Sequence, residues 1–341
     1  MPGYRLVALA VSTALATVVS GFTRTGHAAP AFVTSAAGSI PAQSDQVFSR
    51  DWKRLKSENF VAVGNADYVS MRSVLTELEG FRQALLRSSP ALRLAPMVPT
   101  TVVVFKDEAA FSRFRPLDTA GHRRESVAGY FLSGGDANYL VVPMHNPPSR
   151  TFQYLFHEYT HFIVRQNLGD VPAWLNEGLA ELYSTFRATP RDGRSILGEP
   201  PHVRLVRLAR GPWLPLRDVL TMNPDAQGRQ DPPRTLQFYA QAWLLVHYLT
   251  LGPDGTHPER IGTYLATLRK GASVENAVQA GFGRPVEALE QELARYVRGR
   301  LPHRVIDEPE TGVRLRTSQE AMLDEDVADL QRTLLQRLAR Q

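Results

Sequence analysis

The pattern of apolar and polar positions changes character twice along the 341 residues. Up to about residue 143, short β-branched runs alternate with amphipathic stretches. "ENFVAVG" (58–64) reads as a strand, and a helical period follows over about 67–88. "TTVVVF" (100–105) is apolar on both faces, which predicts a buried strand. Asp107 is a good N-cap for a short helix in "DEAAFSRF". "AGYFL" and "NYLVV" flank "SGGDA", whose Gly134 and Gly135 suit the turn of a hairpin. "NPPS" (146–149) then launches a helix through "FHEYTHFIV". From Phe186 to Pro233 the pattern is irregular. Beyond Arg234 it is helical, with helices expected near 235–251, 257–269, 273–280 and 285–299. "RLPHRVIDEPETG" reads as a linker, and about 318–340 as one charged amphipathic helix. The expected class is α+β: a small mixed sheet, two central helices and a helical C-terminal half. The expected divisions are an α/β half over 58–190, a helical half over 191–303, and a linker with a last helix over 304–341.

The first residues follow a different logic. Arg5 precedes an apolar run over 6–22, and small residues surround Ala28 and Ala31. That is the layout of a secretory signal peptide over 1–31, with an uncleaved membrane anchor as the alternative. A leader follows over 32–57, rich in Ala, Ser and Pro up to Ser49. The expectation is export to the periplasm or the medium, with no membrane span after cleavage. Cysteine is absent, which excludes disulfides, thiolate metal sites and thiol nucleophiles. The formal charge of +5 comes from scattered arginines, without a basic run interleaved with aromatics. Nucleic acid is therefore not an expected partner.

Candidate chemistry sits in the helix around residue 157. At about 100° per residue, Phe152, Leu155, Phe156, Tyr159 and Ile163 gather on one face. His157 and His161 fall on roughly the opposite face, one turn apart, where two imidazoles can share one ion. Glu158 is rotated by about 100° from His157. It can sit beside the ion without binding it, and can take a proton from an activated water. These residues form an H-E-x-x-H pattern.

A zinc enzyme needs a third protein ligand and an open position. "NLGDVPAWLNEGLAELY" starts with a helix stop at Gly169, a candidate N-cap at Asp170 and a first-turn Pro172. The new helix packs through Leu175, Leu179, Leu182 and Phe186, with Glu177 and Glu181 on its far side. Joined by so short a turn, the two helices face each other, and Glu177 reaches the ion held by His157 and His161. Glu181 can accept the free N–H of a ligating histidine. Gly178, lacking a side chain, lets a neighbouring helix come close.

"HEYTH" with "WLNEGLAELY" resembles the gluzincin metallopeptidases of thermolysin and aminopeptidase-N type. Together with "GYF…NYLVVP" and "YAQAWLLVHYL", it resembles more narrowly the bacterial peptidase-MA-like family. The resemblance covers about 58–300. It implies a zincin-like fold and one Zn²⁺ per chain on His157, His161 and Glu177. It also implies Glu158 as general base, Glu181 as the carboxylate behind the ligands, and a peptide or protein substrate. Tyr239 resembles the tyrosine that gluzincins use to donate to the tetrahedral oxyanion, with His247 as the other candidate. In zincin folds a strand such as "NYLVV" pairs with extended substrate at a sheet edge; burial inside the sheet is the alternative. Two departures bear on the substrate. Only 15 residues lie between His161 and Glu177, slightly fewer than in the aminopeptidases, and their "GxMEN"-type stretch is absent. Both favour an endopeptidase. The competing expectations are an inactive zincin-like binding protein and a metal-dependent hydrolase of a non-peptide envelope substrate.

Overall fold

The structure is a computed structural model that describes residues 52–95, 98–118, 121–189, 193–224, 231–253, 258–307 and 318–340. The expected signal peptide and nearly all of the leader lie outside the described residues. The fold is a mixed α/β arrangement built on a six-stranded mixed sheet of order β4-β5-β3-β2-β1-β9. The strands are β1 (Lys53–Lys56), β2 (Val61–Gly64), β3 (Thr100–Phe105), β4 (Tyr130–Leu132), β5 (Asn138–Pro143) and β9 (Ser318–Ala321). β2, β3 and β5 run parallel. β1 is antiparallel to β2 and to β9, and β4 is antiparallel to β5.

The sheet is covered on both faces, which explains the unbroken apolar run of β3. Val102, Val104, Leu140 and Val142 join one core with helices α1 (Tyr68–Ser88) and α3 (Pro148–Leu168). Val103, Phe105 and Val141 alternate to the other face. There they meet Phe111 of helix α2 (Glu108–Ser112) and Val327, Leu334 and Leu338 of helix α11 (Asp324–Leu338). Full burial of each such aliphatic chain stabilises by about 1.5–3 kcal/mol. Asp67 caps α1 through Ser70 N–H at 2.9 Å, and Asp107 caps α2 through Ala110 N–H at 2.7 Å.

A three-stranded antiparallel sheet joins β6 (Arg187–Thr189), β7 (Arg194–Leu197) and β8 (Arg304–Asp307). The remaining helices are α4 (Ala173–Ser184), α5 (His202–Arg210), α6 (Leu216–Thr221), α7 (Pro232–Leu251), α8 (Pro258–Arg269), α9 (Val274–Phe282) and α10 (Val286–Tyr296). α7 to α10 match the four helices expected beyond Arg234.

Four local expectations are corrected. β1 lies inside the stretch read as a leader, and β8 inside the stretch read as a linker. Residues 318–321 pair with β1 rather than starting the last helix. Asp170 does not cap α4: the N-cap is Pro172, with no side-chain cap bond, and its carbonyl accepts from Leu175 and Asn176 N–H at 3.0 and 3.1 Å. Of the two open readings of "NYLVV", the internal one holds: it is bonded to both β3 and β4, and the sheet edge beside α3 is β4.

Candidate metal centre

α3 presents its apolar stripe to the sheet and α1, with Leu155, Phe156, Tyr159 and Ile163 all buried. Phe81 of α1 packs on Phe156 with ring centroids 4.8 Å apart. That anchoring turns His157 and His161 the other way. Gly169, at φ 68°, ends the helix in a conformation that suits glycine. α4 then returns along α3, held by Trp174 and Leu175, both fully enclosed. Trp174 and Trp243 are both core residues.

Three ligand atoms converge between the helices. His157 Nε2 and His161 Nε2 are 3.1 Å apart, and Glu177 Oε2 is 3.4 Å from the first and 3.6 Å from the second. These three residues can hold a metal ion. An ion at ordinary zinc–nitrogen and zinc–oxygen distances has tetrahedral edges of about 3.3 Å, so the residues present fit such a group. Their side chains are 17%, 22% and 14% exposed, which leaves the centre reachable from solvent.

Around the trio the charges are arranged in layers. Burial opposes protonation of His157, but its hydrogen bond to the Glu177 carboxylate and the charges of Glu181, Glu177 and Glu158 outweigh it, holding the imidazole up at about 9. Burial pushes Glu177 up, yet His157, His161 and Arg204 draw it below the usual carboxylate range. Glu158 is raised, first by burial, with His157 and His161 pulling the other way. The backbone N–H of Phe131, on edge strand β4, lies close to the Glu158 carboxylate and favours its charged form. The Phe131 ring stacks on Phe162 of α3 at 5.1 Å, which fixes β4 beside this helix.

Glu181 stands behind His157, with Oε1 3.7 Å from Nδ1. This is within ion-pair reach and longer than a formed hydrogen bond. The carboxylate is gripped by Arg204 of α5, Nη2 to Oε1 at 2.6 Å and Nε to Oε2 at 2.9 Å. Arg204 is the residue that sequence reading missed. Its only signal is an arginine on a short helix whose place beside Glu181 depends on the tertiary fold.

The structure separates the two oxyanion candidates. Tyr239, on α7, is half-buried with its ring beneath the Arg204 guanidinium at 5.3 Å, which ties it to the site through Arg204 and Glu181. His247 is fully enclosed. Its Nε2 donates to Pro302 O at 3.0 Å, and its Nδ1 accepts from Tyr296 O–H at 2.9 Å. Both ring nitrogens are engaged within the core. α7 reaches the site because α4 carries Gly178: a Cβ there would lie 2.5 Å from Ala242 O and would collide with Val246. The expected close approach of a neighbouring helix is thus made by α7. Compared with protein-family models and with curated proteins, the chain gives no match.

Proposed function

We propose that this chain is an exported zinc peptidase of gluzincin type that cleaves within peptide chains. The observation that carries the reading is the trio of separations 3.1, 3.4 and 3.6 Å, close to the edges of one face of a tetrahedral zinc site whose fourth vertex is left for water or substrate. Carboxylates at both Glu158 and Glu181 support catalysis over simple metal storage.

Zinc, when bound, supplies Lewis acidity that polarises a carbonyl and acidifies water. The chain's own residues do the rest. His157, His161 and Glu177 hold the ion. Glu158, beside them and raised by burial, takes the proton of the attacking water and hands it to the leaving amine. The nearby Phe131 N–H favours the charged form of that carboxylate. The outer edge of β4 offers an extended peptide a strand to pair with. Arg204 fixes Glu181, and Glu181 fixes the His157 ring. Tyr239 donates to the oxygen that becomes negative in the transition state.

Elemental analysis of protein purified without added metal, combined with cleavage profiling on a mixed peptide library, tests this reading. The expected result is one zinc per chain and peptide cleavage that a chelator abolishes. Glu158→Gln is expected to retain zinc while hydrolysis falls by at least about 10²–10⁴-fold. A fully active Glu158→Gln, or a metal-free active protein, sinks the mechanism. Cleavage of envelope fragments in place of peptides moves the substrate class, and zinc without any hydrolysis indicates a binding protein.

A further inference from the structure

The metal-binding face of α3 continues past the trio toward the start of the helix. At about 100° per residue, Arg150, Tyr154, His157 and His161 fall within an arc of about 60°. Arg150 stands about 11 Å along the axis from the His157–Glu158 pair.

Edge strand β4 runs beside this face in the same direction. Gly129, just before β4, is so close to Tyr154 that an added Cβ would lie 3.6 Å from the Tyr154 Cβ. Two residues on, Phe131 N–H meets Glu158, four residues after Tyr154. Two strand residues advance about 6.6 Å and four helical residues about 6 Å, so strand and helix keep step. A peptide paired to the outer edge of β4 therefore passes Tyr154. About three residues from the bond at Glu158 it comes level with Arg150.

Arg150 is set up to receive a carboxylate. The side chain is exposed, and its guanidinium lies over the Tyr154 ring at 5.8 Å. Among the described residues its hydrogen bonds go to the Tyr154 hydroxyl, from Nε and Nη2, each at a long 3.4 Å. The helix amide of Arg150 is already bonded to Pro147 O, so the side chain and not the helix terminus is the binding group. The nearby carboxylate, Glu108, is paired with Arg115, and its Oε1 lies 3.4 Å from His145 Nδ1. Burial holds His145 below its ordinary value. Two guanidinium charges thus stand against one carboxylate at this end of the cleft.

We propose that Arg150, seated on Tyr154 and backed by Arg115, forms a subsite for an acidic side chain of the peptide substrate, about three residues from the scissile bond. The inference rests on the peptidase reading. The substrate class it names is peptides with Asp or Glu at that distance.

The test is a set of paired peptides carrying Glu or Gln at each position along the chain, assayed as kcat/KM with the zinc-loaded full chain. The expected result is a preference for Glu of about 10-fold at one position near three residues from the cut, as charge-assisted hydrogen bonds give. Added salt is expected to weaken it. Arg150→Gln is expected to remove the preference, and Arg150→Glu to turn it toward Lys. Cleavage with no charge preference, or one unchanged in both variants, overturns the subsite and leaves the peptidase reading standing. A second arm measures anisotropy of labelled Glu and Gln peptides on Glu158→Gln protein, with and without Arg150→Gln. Tighter binding of Glu peptides that depends on Arg150, with no cleavage by the wild type, sinks the peptidase reading and leaves the subsite. Failure in both arms removes both.

Discussion

The ligand trio shows what local spacing can and cannot specify. His157 and His161 share a face because they are one turn apart, and Glu177 arrives because a short turn folds α4 back on α3. Those relations are local in sequence, so they were legible before the structure. Arg204 was not, because its contact with Glu181 crosses an irregular segment with no periodicity to read. Its consequence is testable. Arg204 and Glu181 are only 17% and 9% exposed, so Arg204→Ala strands a nearly buried carboxylate, a change that costs about 3–5 kcal/mol. The thermal midpoint is expected to fall, and zinc affinity, read by chelator competition, to drop about 10–100-fold. Arg204→Lys cannot restore the two-point grip. Tyr239→Phe removes a hydroxyl without touching Glu181. It is expected to keep zinc and lose about 10²–10³ in turnover. Wild-type zinc affinity in Arg204→Ala would show that His157 is oriented without this relay.

Elements differ in legibility for a physical reason. α1, α3 and α7 are long enough for a repeating stripe, and β3 is buried on both faces, so each carries its signature alone. β1 reads Lys-Arg-Leu-Lys with only Leu55 buried, and β8 is a short strand with no buried residue. Neither shows a pattern until its partner is known. Gly178 stands between these cases: its need for a close neighbour was legible, the identity of that neighbour was not. The contact gives the element-scale prediction. Gly178→Ala should gain about 1 kcal/mol of helix propensity. The new methyl, however, would meet the Ala242 carbonyl and Val246, and overpacking of this kind costs about 1–3 kcal/mol. Gly178→Val, larger and β-branched, is expected to unfold at clearly lower denaturant and to displace α7 and, with it, Tyr239. Activity per bound zinc should therefore fall more than zinc content does. A Gly178→Val protein as stable and active as the wild type would mean that α4 and α7 are not in the contact described.

At the scale of the molecule, the chain's late segments close what its early ones leave open. β9 extends the main sheet beyond β1, α11 covers its second face, and β8 completes the small sheet. Arg337 of α11 bonds Ala137 O at 2.7 Å and pairs with Asp136 in the β4–β5 turn. The last helix was legible as an amphipathic helix, but where it and the two strands dock was not, because their partners lie far away in sequence. His247 sits on this return path, tying α7 to Pro302 just before β8. Its burial drives the imidazole down to about 4, with the carbonyls of Pro302 and Gly198 only partly opposing. A pKa lowered on folding means that the unfolded chain binds the proton more readily. The stabilisation is therefore complete above pH 6.5 and is lost as pH falls toward 4. A drop from 6.5 to about 4 corresponds to a loss on the order of 3 kcal/mol. His157 in the metal-free protein works in the opposite sense. Its raised pKa contributes stability that is complete below 6.5 and lost as pH rises through about 9. The two are separated by comparing wild type with His247→Gln, both metal-free, in urea at pH 7 and pH 4. The variant should be less stable at pH 7, and the gap should shrink by roughly 3 kcal/mol at pH 4, since glutamine has no proton to gain. A gap that stays constant with pH would show that His247 takes up its proton in the folded protein as readily as in the unfolded chain.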